Sequence, residues 1–574
     1  MISMGAVLVV HLVVGVGLLL GRPGRPGLLI GGLAPVVALA WTVGHLPAVL
    51  DGRPVVERTE WVPTLGLAFD LRVDGFAMLM VLVVAGIGVG VLAYGWSYFS
   101  DDDAAEVDRT AGLLVLFAGA MLGVVVADNL LVLYGAWELT SVLSFLLVGN
   151  QFRKAEARAA AQQAILMTGA GGLCLLLGLV VLGRAAGTYR MSEVLADPPS
   201  GTAVPVALVL VAVGAFTQSA PYPVHSWLPR AMVAPTPVSA YLHSATMVKA
   251  GVYVIARFAP AFAASQPGWR ALVVAVGAWS MLAGGVRALR EHDLKLVLAY
   301  GTISQLGFMV VLFGMGIGAA TFAGAAGLVA HALFKASLFM VVGIVDHGLG
   351  TRDVRRIPRH VGPGWTTTRR VAVVAAASMA GVPLTLGFVA KEGALDAAAT
   401  SGAGWTVPLA VVLVVGSALT AAYAGRFVAG VSGRLAEPGT APASATPAPR
   451  ASASHPPGRA FVAVPVVLAT ATVVLGVVPW PVDRLVGATA ADLAGSTVPK
   501  HLAIWHGLNL ALGLSALALT AGAVIAVASL RGGAPARRRA RFPSGDSAPC
   551  GPSSPRPGRS PAWSRWGRCP CTSG

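Results

Sequence analysis

Ionisable side chains sit inside runs that are otherwise apolar. Glu138 lies in YGAWELTSVLSF, and His243 and Lys249 lie in YLHSATMVKAGVY. His331 and Lys335 lie in HALFKASLF, and Lys391 and Glu392 in TLGFVAKEGAL. Acids, lysines and histidines can each exchange a proton. Burial disfavours the charged form, which brings lysine and glutamate towards titration near neutral pH. Linked by water, such groups make a proton relay. His331 and Lys335 stand at i and i+4, hence on one helical face. A charge at mid-bilayer costs about 2.5–3.5 kcal/mol on insertion scales, so it faces the protein interior and works there. The blander reading is a buried Glu–Lys pair that only locks two helices. Several such sites along the chain weigh against it. His11 and His45 sit near the ends of apolar runs, read as interfacial, and receive no role. His501 and His506 stay open, because WHGLN starts a span where aromatic and polar residues anchor at the interface.

A second signal is the stretch FTQSAPYPVHSWLPRAM, where Pro221 and Pro223 interrupt an apolar run. Pro383, beside Gly381 and Gly387, can break a later one. Broken helices in matching positions of two halves point to an inverted-repeat transporter with ion sites at the breaks. The alternative is a simple proline kink, which neighbouring helices tolerate.

The elements that must hold these residues are membrane helices. The chain has 574 residues, 56% hydrophobic and only 11% charged. Its apolar runs are continuous and about twenty residues long, enough to cross a bilayer. Fifteen candidate spans follow: 4–20, 27–50, 75–96, 111–127, 130–149, 163–184, 203–220, 235–258, 270–287, 294–316, 318–345, 371–398, 405–430, 460–482 and 501–530. The expected fold is an all-α polytopic membrane protein. The run 4–20 lacks a basic n-region and an A-x-A site, so it reads as a retained span. Arg and Lys cluster after odd-numbered spans, Arg287, Arg290 and Lys295 among them, which puts those loops in the cytoplasm, the N-terminus outside and the tail inside a cell membrane. The organisation expected is N-terminal helices over 1–110, one repeat over 111–258, a second over 270–430, a flexible loop over 431–459, C-terminal helices over 460–530 and a basic tail over 531–574. That tail carries +8 of the net +16 and three of the four cysteines. Its CPC at 569–571 has no second pair, so no metal is assigned. The expected environment is lipid, not nucleic acid.

With these residues in view, the chain resembles a known family. The runs WELTSVLSFLL (137–147), HSWLPRAMVAPTPVSAYLHSATMVKAG (225–251), DLKLVLAYGTISQLG (293–307), HALFKASLFMVVGIVDHGLGTRD (331–353) and GFVAKE (387–392) carry the likeness. They are similar to the antiporter-like proton-pumping subunits of respiratory complex I. They are more similar still to the A subunit of the Mrp (multiple resistance and pH) cation/proton antiporter. The resemblance covers about 70–530, with DGFAMLMVL at 74–82 as an early landmark. It implies two inverted five-helix repeats, each with a discontinuous helix, and exchange of cytoplasmic Na⁺ or another monovalent cation for external H⁺. It implies a complex of several different subunits and no soluble cofactor, quinone or redox centre. The family's essential glutamate falls on Glu138, its mid-membrane lysine on Lys249, and the lysine of its second broken helix on Lys391. His243, His331, Lys335 and His347 match polar positions of the family's central hydrophilic axis. Glu138 is then expected to pair alternately with neighbouring lysines.

Two departures stand out. The family's first broken helix carries a lysine in a stretch like TKSAQ, where this chain reads TQSAP (217–221). Gln218 cannot carry a proton at physiological pH, so either Lys249 takes over as partner or the first half does not conduct. Arg230 follows WLP, where the family has an acid or amide. After Leu530 the family continues with further spans, whereas this chain turns Arg/Pro/Ser/Cys-rich. That composition is what out-of-frame reading of GC-rich DNA gives, and the alternative is a genuine basic tail drawn to anionic lipid. The competing functions are a proton-pumping component of a complex I-like or hydrogenase-like enzyme, and a non-transporting scaffold. No Na⁺ ligand is assigned: Asp128, Asp293 and Asp346 all sit near span ends.

Overall fold

The structure, a computed structural model, describes residues 2–62, 67–399, 401, 404–437 and 456–531. Most of the expected flexible loop and the basic tail, with its CPC, lie outside the described residues.

The chain is a multi-pass membrane protein of packed helices. The first group is α1 Met4–Gly21, α2 Pro26–Leu50, α3 Gly75–Tyr98, α4 Ala104–Val126, α5 Leu130–Val148 and α6 Ala155–Ala186. Next come α7 Met191–Ala196, α8 Ala203–Ser219, α9 Trp227–Arg230, α10 Thr236–Ser244, α11 Met247–Phe262, α12 Pro267–Ala288 and α13 Leu294–Gly314. The remainder are α14 Gly318–Leu349, α15 Thr366–Ala380, α16 Leu386–Ala399, α17 Thr406–Val431, α18 Arg459–Val477, α19 Trp480–Ala494 and α20 Leu510–Arg531. Polar residues at the run boundaries start several of them. Asp74 accepts from Ala77 N at 3.0 Å, Asn129 from Leu131 N at 3.0 Å and Asp293 from Lys295 N at 2.7 Å. Each satisfies a helix-initial donor.

Thirteen helical spans among the described residues are long and apolar enough to cross a membrane. Fifteen were expected. The two that drop out, 235–258 and 371–398, are each split. α10 stops at Ser244 and α11 restarts at Met247, with Thr246 between them at φ −126°, ψ −107°. α15 ends at Ala380, capped by Gly381 (φ 87°), and α16 starts at Leu386, with Leu384 also at positive φ. Neither half reaches 18 residues. At the C-terminal end, 501–509 is irregular and α20 begins only at Leu510. α19 is a separate helix laid on α3, with Asp492 accepting from Gly75 N and Thr489 donating to Gly75 O.

One element departs from the helical expectation. β1 Val55–Val62 and β2 Leu67–Val73 form an antiparallel hairpin, Val55 facing Val73 and Thr59 facing Phe69. The sequence VVERTEWV has the β-branched content and partial alternation of a strand, but it lies between two apolar runs that read as one loop.

The most buried spans are α13 and α14, with 89% of an eighteen-residue apolar stretch of each inside the molecule; the corresponding stretches of α1 and α20 are peripheral at 28%. α11 reaches the centre because Gly251 lets it lie directly on α8, where a Cβ would stand 1.9 Å from Ala215 O. At its far end Arg257 grips Asp74 of the α3 cap with two hydrogen bonds, 2.6 and 2.7 Å, both groups buried. Tyr253 receives Arg257 Nε and donates to Val125 O of α4.

Candidate functional site

The predicted ionisable residues lie on α5, α10, α11, α14 and α16, with Gln218 on α8. Glu138 is half-buried on α5 and pressed against α6 where Gly172 leaves room: a Cβ there would meet Oε1 at 1.8 Å. Oε1 has no hydrogen-bond partner among the described residues.

Gln218 occupies the last turn of α8. Its Nε2 donates to Thr140 Oγ1 at 3.1 Å, and its buried Oε1 has no partner among the described residues. Thr140 stands two residues beyond Glu138, about 200° round the helix, so this contact does not reach the carboxylate. α8 ends at Ser219, and Ala220 takes the left-handed conformation (φ 52°, ψ 44°). Pro221 and Pro223 lie in the turn that follows, where a missing backbone N–H does no harm. The freed carbonyl of Thr217 is taken by Trp227 Nε1 at 2.9 Å, and Ser219 Oγ donates to Val248 O at 2.8 Å. The break is therefore tied to the first turn of α11, where the next ionisable residue sits.

That residue is Lys249, fully buried, with Nζ donating to Leu328 O of α14 at 2.9 Å. One turn along α14 the buried His331 ring packs edge-on against Phe334, 5.5 Å between centroids, and neither ring nitrogen has a hydrogen-bond partner among the described residues. His243, in the last turn of α10, is buried between the rings of Trp227 (6.3 Å) and Phe339 (6.2 Å). Lys335 follows His331 by one turn, with Nζ 3.9 Å from Met379 Sδ of α15. Gly301 of α13 makes its space: a Cβ there would stand 3.2 Å from Lys335 Nζ and 3.0 Å from the Tyr423 ring.

Lys391 completes the run. Its Nζ donates to Met379 O and Ala380 O, both at 2.9 Å, at the open C-terminal end of α15. Helix C-termini present unsatisfied carbonyls and the negative end of the dipole, so a cation belongs there. Pro383 lies in the turn between α15 and α16. Lys249, just past the α10 break, thus rests on a main-chain carbonyl within α14, and Lys391 on carbonyls at the α15 end, with no carboxylate among the described residues holding either. A lysine held this way can lose its proton without leaving a buried carboxylate unpaired.

Some placements differ from the sequence reading. His347 is exposed at the end of α14, against Tyr98 (6.1 Å) and Phe461 (5.7 Å), apart from the buried run. His11 is not interfacial: it is fully buried between α1 and α4 over Gly119, with Nδ1 2.9 Å from Val7 O. Lys295, grouped by sequence with the loop cations, is buried on α13 and donates to Ala234 O at 2.8 Å. Its position two residues after the Asp293 cap, at the head of an apolar run, was the signal available. Gln305, which donates to Thr420 Oγ1 at 3.0 Å and Tyr423 Oη at 3.3 Å, extends the polar interior unannounced. The acids near span ends have local partners: Asp128 accepts from Ser192, and Arg352 lies 3.2 Å from Asp293 and 3.8 Å from Asp346.

Comparison with known proteins agrees with this architecture. Residues 127–420 match the family described as "NADH:quinone oxidoreductase/Mrp antiporter, TM". The chain is 41% identical over 507 residues to the probable A/B subunit of a K⁺/H⁺ antiporter of Rhizobium meliloti, covering 86% of this chain and 48% of that protein. It is 36% identical over 506 residues to the A1 subunit of a Na⁺/H⁺ antiporter of Staphylococcus haemolyticus, covering 83% of this chain and 61% of that one. A chain in the structure of the Mrp complex from Dietzia sp. DQ12-45-1b superposes with a TM-score of 0.80 at 36% identity, covering 92% of this chain and 56% of that chain. The chain therefore spans about half to two thirds of these relatives. By sequence and by fold alike, the chain belongs to the Mrp antiporter A-subunit family, whose membrane domain is shared with the antiporter-like subunits of complex I.

Proposed function

We propose that this chain is the subunit of an Mrp-type antiporter that carries protons in exchange for a monovalent cation, as part of a complex with other membrane subunits. Two relatives named as K⁺/H⁺ and Na⁺/H⁺ antiporter subunits support the class; Na⁺ is the first cation to test and K⁺ the second. The observation that carries the reading is the set of ionisable side chains within the helices, from the half-buried Glu138 to the buried Lys391, with Lys249 and Lys391 seated beside helix breaks. Protons move along Glu138, Lys249, His331, His243, Lys335 and Lys391, through water between the side chains. A buried ammonium that loses its proton to the next site changes the field felt by its neighbours, which couples one transfer to another. The breaks at 220–226 and 381–385 belong to two inverted repeats, over 111–258 and 270–430. The N-terminus faces outward, the Arg-rich loops face the cytoplasm, and the proton gradient drives the exchange.

The test is cation-induced proton movement in inverted vesicles from an antiporter-deficient host, with the chain co-expressed beside its genomic neighbours. Na⁺ or K⁺ should collapse the imposed pH gradient, and Glu138→Gln should abolish the effect at unchanged protein level. Equal rates in the two proteins would remove Glu138 from the path.

A further inference from the structure

The proposed relay leaves one buried acid unused. Glu392 follows Lys391 on α16, about 100° round the helix. Its Oε2 lies 2.9 Å from His506 Nδ1, and its Oε1 accepts from Asn509 Nδ2 at 3.2 Å. The carboxylate is 5% exposed and the histidine 28%. Both partners belong to the irregular stretch 501–509 that leads into α20. A cavity of about 320 Å³ opens beside them. Its titratable and charged lining is Glu392 and Asp396 from α16 and Lys500, His501 and His506 from the incoming stretch; α14 contributes the uncharged Ala319 and Phe322. Asp396 stands one turn beyond Glu392 and is paired with Lys500 at 2.5 Å, both side chains 36% exposed. The line of titratable groups thus runs from a buried acid next to Lys391 to a partly exposed ion pair.

The cavity lies at the Ala319 end of α14, and Arg352 lies just past the other end. The helix has 32 residues, about 48 Å at its usual rise. In the orientation proposed above, the cavity opens on the outer face. His506 suits a transfer role. Nδ1 meets Glu392 Oε2, and Nε2 lies 3.2 Å from His501 O, so both ring nitrogens face acceptors and the ring has places for two protons. The doubly protonated ring can then release its Nδ1 proton: that N–H bond breaks as an O–H bond forms on Oε2, leaving a neutral ring and a neutral acid. Water in the cavity reloads the ring.

We propose that Glu392 and His506 form the outer proton port of the second half, passing protons between the cavity and the Lys391 end of the relay. The port rests on the antiport reading. The test uses the complete complex in inverted vesicles, whose lumen is the outer face, with initial rates of cation-induced proton release read across lumen pH. Glu392→Gln and His506→Gln should each slow release by about tenfold or more, at normal protein level and beyond rescue by added cation. Glu392→Asp should recover most of the rate. Lowering lumen pH should help His506→Gln, whose acid remains, and not Glu392→Gln. Wild-type rates and an unchanged lumen-pH profile in both glutamine variants would overturn the port while leaving antiport intact. Equal loss in all three variants, Asp included, would mark a structural contact and also overturn it. If the wild-type complex moves no protons with Na⁺ or K⁺, the antiport reading fails and the port with it.

Discussion

Gln218 is the residue whose type departs furthest from the resemblance, and its contacts make the departure testable. Its amide reaches Thr140, not Glu138, and one of its polar atoms has no partner among the described residues. A lysine there adds reach and a titratable group beside α5. We expect Gln218→Lys to raise the initial rate of cation-dependent proton movement; an unchanged rate would mean that Lys249 already serves Glu138. Gly381 is the second informative residue. It holds φ at 87°, and a Cβ would lie 2.8 Å from Lys391 Cδ. Gly381→Ala should cost about 1–3 kcal/mol in backbone strain and displace the ammonium from the α15 carbonyls. Thermal unfolding in detergent should report the first effect and the vesicle assay the second.

At the scale of elements, α11 carries Lys249 and is held at both ends. Gly251 sets its approach to α8, and the Arg257–Asp74 pair fixes its far end to α3. Removing one member of a buried ion pair leaves an uncompensated charge and costs about 3–5 kcal/mol, whereas replacing both by apolar residues is often neutral. Arg257→Met should therefore lower the unfolding temperature of the purified protein substantially, and Asp74→Leu combined with Arg257→Met should restore most of it. A double variant as unstable as the single one would mean that the pair's hydrogen bonds to Tyr253 and the α3 cap matter more than its charges. Gly251→Val should push α11 off α8 and abolish proton movement, because the clash is with main chain that cannot swing aside.

For the whole molecule the testable property is orientation. Arg53 precedes the hairpin and Arg356 follows α14, and both are exposed. In a background with the native cysteines replaced, Arg53→Cys should react with a membrane-impermeant maleimide added outside intact cells, and Arg356→Cys only after the cytoplasmic face is opened. The reverse pattern would invert the topology and place the Glu392 cavity inside.

Composition and run length were enough to read a polytopic helical membrane protein, because a bilayer leaves the backbone few other solutions. Residue type and position single out Glu138, Lys249, His331, Lys335 and Lys391 as candidates, because a charge is costly in lipid; the structure buries the last four and half-buries Glu138. The Thr246 break was not legible: ATMVKAG contains no proline, and the interruption is stabilised by α8 and α14 packing around it. The hairpin was missed because strands paired outside the apolar runs carry only a weak local signal. Lys295 and His506 were misjudged or left open for one reason. Sequence places a residue along the chain near a span end, but whether that end is solvent or protein interior depends on what other segments fold over it. Ala234 does so for Lys295, while His506 stays exposed and only meets the Glu392 carboxylate of α16. That decision belongs to tertiary packing, which arises from contacts between residues more than a hundred positions apart in the second case and about sixty in the first.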